Sequence, residues 1–337
     1  MCHAAQAWLK KFLFSNVIVI SMVHGGIGIV FAQSPENSNK VDELLFESFV
    51  SGRQTLISGE FTAIETNRER VGFRDEIAKS TLYGAFDNLQ GTYRFDRTEI
   101  VETFHIEDGQ LERKADIENL LKGIVGQEKF TTKIIVEPKK ATKWSSSNLH
   151  EILIAGSVQD LSVPKPFDIR IVGISTTGDL ATDYTFDELT EIFRKQKPHA
   201  EKAAIGLDML KWTFSNGSLS RTVKFDPSLD FAPTEMVIAN VYNKDGALTT
   251  RPFLKIVTTW EEKEGVYVPK TCIHYDLSMD TERIIYEVNF QWNIVNGALP
   301  SGVFSPEGLG MESFASVIDT RSGSRVVVDR IFSGAKN

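Results

Sequence analysis

The sequence predicts a mainly β protein: a large curved antiparallel sheet or incomplete β-barrel, with a few helices against one face. Three observations lead there. Near the C-terminus, Ile284, Tyr286, Val288, Phe290, Trp292 and Ile294 hold the even positions, with Glu287, Asn289, Gln291 and Asn293 between them. A period of two sends alternate side chains to opposite faces, so this is a long strand with one apolar and one polar face. A strand so lopsided needs a broad antiparallel sheet beside it. From Leu207 onward, strand-like runs follow one another across turn pairs such as Asn216-Gly217, Asp245-Gly246 and Glu264-Gly265. Only two segments carry firm helical spacing, and strands joined by short turns argue for a meander, not for βαβ units.

Residues 1–32 read as an export signal. Lys10 and Lys11 precede an apolar run from Phe12 to Phe31, and Val30-Phe31-Ala32 resembles a signal-peptidase site. Cleavage after Ala32 would send residues 33–337, a single β-rich domain, to the periplasm or outside the cell. The run is nearly long enough to span a bilayer, so a retained N-terminal anchor is the alternative. Losing Lys10 and Lys11, the only charged residues of that segment, takes the net charge from −8 to −10. Such a balance favours solubility and disfavours nucleic acid or an anionic membrane surface as a partner. Cys272 is then the only cysteine, so no internal disulfide forms and the core must hold the fold.

Within the domain, Ser34 to Asn39 is a polar linker. Val41, Leu44, Leu45 and Phe49 recur at helical spacing, predicting a helix over 41–51 that Gly52 ends. Leu56 to Thr66 reads as a strand, and Asn67 to Arg74 as a charged turn region. Strands follow at Ser80–Asp87, Gly91–Asp96 and Glu99–Glu107, with turns at Asp87-Asn88 and Asp108-Gly109. Ala115 to Gly123 reads as a short helix. Phe130–Val136, Glu151–Ala155 and Phe167–Ile174 read as strands, with a serine loop at 145–147. Thr185-Phe186-Asp187-Glu188 matches a capping box that opens a helix over 185–196, with Phe186, Leu189, Ile192 and Phe193 on one face. Strands then run over 207–215, 219–225, 235–243, 254–261, 266–277, 284–294 and 324–331.

Few residues point to chemistry. His105, His150, His199 and His274 stand in no metal-binding spacing. Period two places Lys270, Cys272, His274 and Asp276 on one strand face. A thiol beside an imidazole suits a metal half-site or an activated nucleophile, and equally a packed polar face with a small buried thiol. Ser162-Val163-Pro164-Lys165 matches the Ser-x-x-Lys of penicillin-recognising enzymes, but its prolines make a loop where that motif opens a helix. Walker A, Gly-x-Ser-x-Gly and strand-linked Gly-x-Gly-x-x-Gly patterns are absent. Glu261-Glu262 and the Asp226/Asp230 pair cannot be told from surface charge. No catalytic residue, metal site or cofactor is assigned, and the chain is expected not to be an enzyme.

The aromatic residues say more. Trp212 and Phe214, Trp260, and Tyr286, Phe290 and Trp292 lie in three separate predicted strands. They suit an ordinary core. They also suit the concave face of a curled sheet that holds an apolar ligand, as β barrels and half-barrels often do. These six are the candidate ligand-binding residues.

The order of parts (short helix, strands, a middle helix, antiparallel strands to the end) closes on a distinctive pattern. It runs Phe290-Gln291-Trp292-Asn293-Ile294-Val295-Asn296-Gly297-Ala298-Leu299-Pro300, then Val303-Phe304-Ser305-Pro306-Glu307-Gly308. This resembles the outer-membrane lipoprotein-sorting carriers, the LolA-like family, and their LppX-like relatives, over residues 41–104 and 207–308. The resemblance implies an exported, incomplete antiparallel barrel with helices plugging its open side. It also implies an acyl-chain or lipid ligand, an envelope acceptor protein as partner, and no catalysis. Two rivals stand beside it: an exported structural or interaction module joined through its sheet edges, and a hydrolase whose polar residues meet only in the fold.

Overall fold

The structure is a computed structural model. It describes residues 20–23, 26–29, 46–71, 74–105, 128–145, 151–156, 168–174, 185–196, 210–215, 218–244, 247–278, 282–305, 309, 315–322 and 324–328. The chain divides into two units, Met1–Leu44 and Leu45–Asn337. The first holds an antiparallel pair, β1 (Ile20–Val23) and β2 (Gly26–Ile29). The second is built on one sheet of 14 strands that does not close into a barrel.

Two meanders meet at the middle of that sheet. β3 (Ser58–Val71), β4 (Arg74–Asp87), β5 (Thr92–His105), β6 (Glu128–Glu137), β7 (Lys140–Ser145) and β8 (Glu151–Ala155) step outward in sequence order. β9 (Leu210–Ser215), β10 (Leu219–Asp226), β11 (Ala232–Lys244), β12 (Ala247–Lys263), β13 (Val266–Asp276) and β14 (Arg283–Val295) step inward from the other edge. The seam is the antiparallel pair β14–β3, with Trp292 opposite Phe61. β15 (Ala315–Asp319) joins β8 in parallel and β16 (Ser324–Val328) ends that side, so the sheet is mixed at one edge.

The predicted alternation on β14 is present: Tyr286, Val288, Phe290 and Trp292 are buried, and Asn289, Gln291 and Asn293 are exposed. The pairing register shifts between Trp292 and Ile294, and beyond it Val295 is buried instead of Ile294. The buried side chains of β3, β4 and β10 to β14 form one core with Phe46, Phe49, Val50 and Leu56, with Ile169 to Ile174, and with Phe186 and Leu189.

The sheet must curve around these covering segments. Asp168 lies in one pocket wall with Tyr93 of β5, and Gly173 sits against Thr258 of β12 and Pro233 of β11. Five to six strand spacings separate β5 from those two strands, about 24–29 Å if flat at about 4.8 Å each. Residues 168 to 173, part of them in a 3-10 turn, span no more than about 14 Å. Only a concave sheet lets so short a segment touch both sides.

Several sequence expectations are corrected. Asn67–Arg74 is not a turn region: β3 runs to Val71 and β4 starts at Arg74, with Arg70 opposite Asp75. Gly91–Asp96 and Glu99–Glu107 are one continuous strand, β5. β7 and β15 are strands that the sequence reading does not contain. Phe167–Ile174 is not a strand: Ile169–Ile171 is a 3-10 turn whose N-terminus the Asp168 side chain caps by accepting from Arg170 N. The β-branched run misled because it is buried on all sides. The first helix, α1, covers 46–54 among the described residues and does not stop at Gly52. A β-carbon at Gly52 would lie 2.4 Å from the Asp230 carbonyl oxygen, so the glycine permits close packing of α1 on the β10–β11 connection. The second helix, α2 (Phe186–Gln196), opens on the expected capping box: Thr185 N donates to Glu188 Oε2 (2.9 Å) and Glu188 N to Thr185 Oγ1 (3.2 Å). The expected helix over 115–123, the Asp108-Gly109 turn and the Ser162–Lys165 motif lie outside the described residues, as do 41–45.

Candidate functional site

The concave face carries a row of side chains that crosses four strands. Phe61 on β3 stands opposite Trp292 on β14, their ring centroids 5.2 Å apart. Trp292 donates its indole N–H to Pro269 O on β13 (2.9 Å). Pro269 is the register partner of Trp260 on β12. Trp260 in turn donates to Pro233 O on β11 (2.8 Å), which fixes its ring. Over that ring lies the guanidinium of Arg53 from α1, 4.4 Å from the centroid.

At the Phe61 end the face opens into a pocket of about 210 Å³. Its apolar wall includes Phe61, Phe86 and Phe95, and its polar wall includes Tyr93, Asp168 and Arg170. Phe86 stands edge-on to Trp292 at 6.2 Å, so Trp292 lies directly behind this wall. The pocket's cations are already matched. Arg170 holds Asp168 through two hydrogen bonds of 2.7 and 2.9 Å, and Arg94, also in the wall, holds Asp96. Burial works against the Arg170 charge, but the hydrogen bond and charge of Asp168 outweigh it and its pKa is raised. Burial first, and Asp168 second, raise the pKa of the Tyr93 hydroxyl, so it stays a neutral donor. Asp168 also accepts from Phe186 N (2.9 Å), which ties the 3-10 turn to the start of α2.

The six candidate residues are placed as follows. Phe290 and Trp292 are buried beside Phe61, and Tyr286 is buried against His274, ring centroids 4.8 Å apart. Trp260 is half-buried beneath Arg53. Trp212 and Phe214 lie on edge strand β9, paired with Val223 and Arg221; their side chains are outside the described residues. Sequence reasoning missed Phe86, Tyr93 and Arg53. Arg53 had a usable signal: Phe46, Phe49, Val50 and Arg53 fall on one helical stripe, which sends the arginine into the core.

The Lys270–Cys272–His274–Asp276 array is not assembled. The register shift between Thr259 and Trp260 pairs these with Thr271 and Pro269, leaves Lys270 out of the ladder, and exposes it. Cys272 is buried, accepts from Thr258 Oγ1 at 3.6 Å, and burial pushes its thiol up to about 11. Burial lowers His274 to about 4, so the imidazole is neutral. Among the described residues no three metal-ligating side chains converge.

No protein-family model matches the chain, and no curated protein matches it. Among solved structures it is similar to a DUF1329 family protein from Desulfovibrio piger, at a TM-score of 0.35 and 10% identity over 79% of this chain and 98% of that one. It is also similar to a porin-like protein from Bacteroides uniformis, at a TM-score of 0.24 and 8% identity over 70% of this chain and 98% of that one. Likenesses this distant leave the chain as a β-rich fold without an assigned family.

Proposed function

We propose that the chain is an exported, non-enzymatic carrier that holds the apolar chain of a lipid, fatty acid or lipoprotein against the concave face of its sheet, in the bacterial cell envelope. The observation that carries this reading is the pocket of about 210 Å³ at the end of the aromatic row. An apolar cavity of about 150 Å³ already binds benzene. Its two arginines are each held by an aspartate, so the apolar wall of Phe61, Phe86 and Phe95 is the surface offered to an alkyl chain. Each methylene taken from water contributes about 0.8 kcal/mol before ordering costs. Micromolar affinity requires roughly 8 kcal/mol net, so the chain must have more than about ten carbons to cover its ordering costs as well. The apolar run at 12–31 and the resemblance to lipoprotein-sorting carriers support the envelope address and the acyl ligand.

The test is direct. Protein purified from an envelope fraction without detergent is extracted with organic solvent and the extract weighed by mass spectrometry. Fatty acid or phospholipid near one per chain is expected. An extract without lipid would favour the interaction module instead, built on edges β9 and β16, each of which pairs on one side only among the described strands.

A further inference from the structure

Arg53 is a buried cation on the concave face that packing alone does not explain. It is 1% exposed, and among the described residues none of its three guanidinium nitrogens has a hydrogen-bond partner. Its position is no accident of a mobile side chain. It follows Phe49 by four residues and Val50 by three on α1, so helical geometry aims it where they aim, at the core. Trp260 occupies one face of the guanidinium, and the five N–H groups point out of its edge. A buried cation in that state is costly unless a partner supplies charge and acceptors together.

The negative charge of Asp230 does not complete the arrangement. Asp230 acts on Arg53 through space without an ion pair in the structure, on a turn where Asp230 and Phe231 both take positive φ, 52° and 58°. Burial lowers the Arg53 pKa to about 10, and Asp230 offsets only part of that. Among the described residues the site is thus undercompensated.

The rest of the row explains what kind of anion would come. From Trp260 the row passes through Pro269 and Trp292 to Phe61 at the pocket, three strand spacings or about 14 Å. We propose that Arg53 anchors the anionic head group, a carboxylate or a phosphate, of an amphiphile whose alkyl chain runs along this row to the pocket. This rests on the carrier reading. The guanidinium would bind such an oxyanion through two parallel N–H···O bonds while still stacked on Trp260.

The experiment compares four probes on delipidated full-length protein by equilibrium dialysis: laurate, dodecyl phosphate, 1-dodecanol and inorganic phosphate. Laurate and dodecyl phosphate should bind at least tenfold more tightly than dodecanol, and inorganic phosphate should show no measurable binding. Arg53→Met should bring laurate down to the dodecanol affinity and leave dodecanol unchanged, while Arg53→Lys should fall between. Asp230→Asn, which tolerates the left-handed backbone, should tighten laurate several-fold. That variant and Arg53→Lys carry the test if Arg53→Met does not fold. If laurate and dodecanol bind alike and neither responds to position 53, the anchor is refuted while the carrier stands. If inorganic phosphate binds through Arg53 as tightly as dodecyl phosphate, the ligand is a free anion and the amphiphile assignment is refuted. If none of the four binds, the carrier reading falls and the anchor with it.

Discussion

Gly84 lies flat beneath the ring of Phe61, its partner across β3 and β4: a β-carbon on Gly84 would come within 2.2 Å of Phe61 Cζ. The ring cannot retreat, because Phe290 and Trp292 pack on it at centroid distances of 5.7 and 5.2 Å. Gly84→Ala is therefore an overpacking change, expected to destabilise by about 1–3 kcal/mol. Its second effect is functional. The displaced ring has only the pocket to enter, so laurate affinity should drop more than in Leu82→Val, which trims the same strand. Denaturant melts and dialysis read both effects; unchanged stability would mean that Phe61 is not confined.

Asn296 fastens the segment between α1 and β3 to the end of β14. Its Oδ1 accepts from Ile57 N (2.8 Å) and Ser58 N (3.3 Å), and its Nδ2 donates to Thr55 O (2.8 Å). Its φ is 52°, which asparagine tolerates better than most residues. Asn296→Ala loses both features and should cost about 1–3 kcal/mol, whereas Asn296→Gly keeps the backbone and loses only the hydrogen bonds. Urea melts in which Gly is no better than Ala would show that the backbone strain is not the second component.

His274 predicts acid sensitivity. Its folded pKa, about 4, lies below the ordinary 6.5 because burial disfavours the charged ring. Between those values the unfolded chain binds the extra proton, so stability is full above pH 6.5 and falls as pH drops towards 4. The loss attributable to this group is of the order of 3 kcal/mol. His274→Gln should flatten that part of the profile of melting temperature against pH. An unchanged slope between pH 6.5 and 4 would place the ring in contact with water.

How much of this was legible follows from what each residue faces. Strand β14 was readable because one face meets a core and the other meets solvent, so burial is written as alternation. The outer reach of the β3–β4 hairpin was not, since pairs such as Glu69–Glu76 and Arg70–Asp75 owe their strand state to their neighbours. Ile169 to Ile174 resisted for the opposite reason: packed on every side, it carries no period, and only Asp168 marks the turn. Of the candidate residues, Trp260, Phe290 and Trp292 stand out in the sequence by type but lie outside the pocket wall, while Phe86 and Tyr93 join that wall only because β4 and β5 bring them beside Asp168.

The most direct test of the carrier account is a laurate titration of delipidated protein, followed by tryptophan fluorescence and dialysis together. Trp292 stands behind Phe61 and Phe86, so filling the pocket should shift its emission. The account predicts a saturable change with a micromolar midpoint and one laurate bound per chain. Trp292→Ala should weaken binding more than Gln291→Ala, whose side chain is exposed on the opposite face. No saturable change, together with no laurate retained on dialysis, would contradict the account.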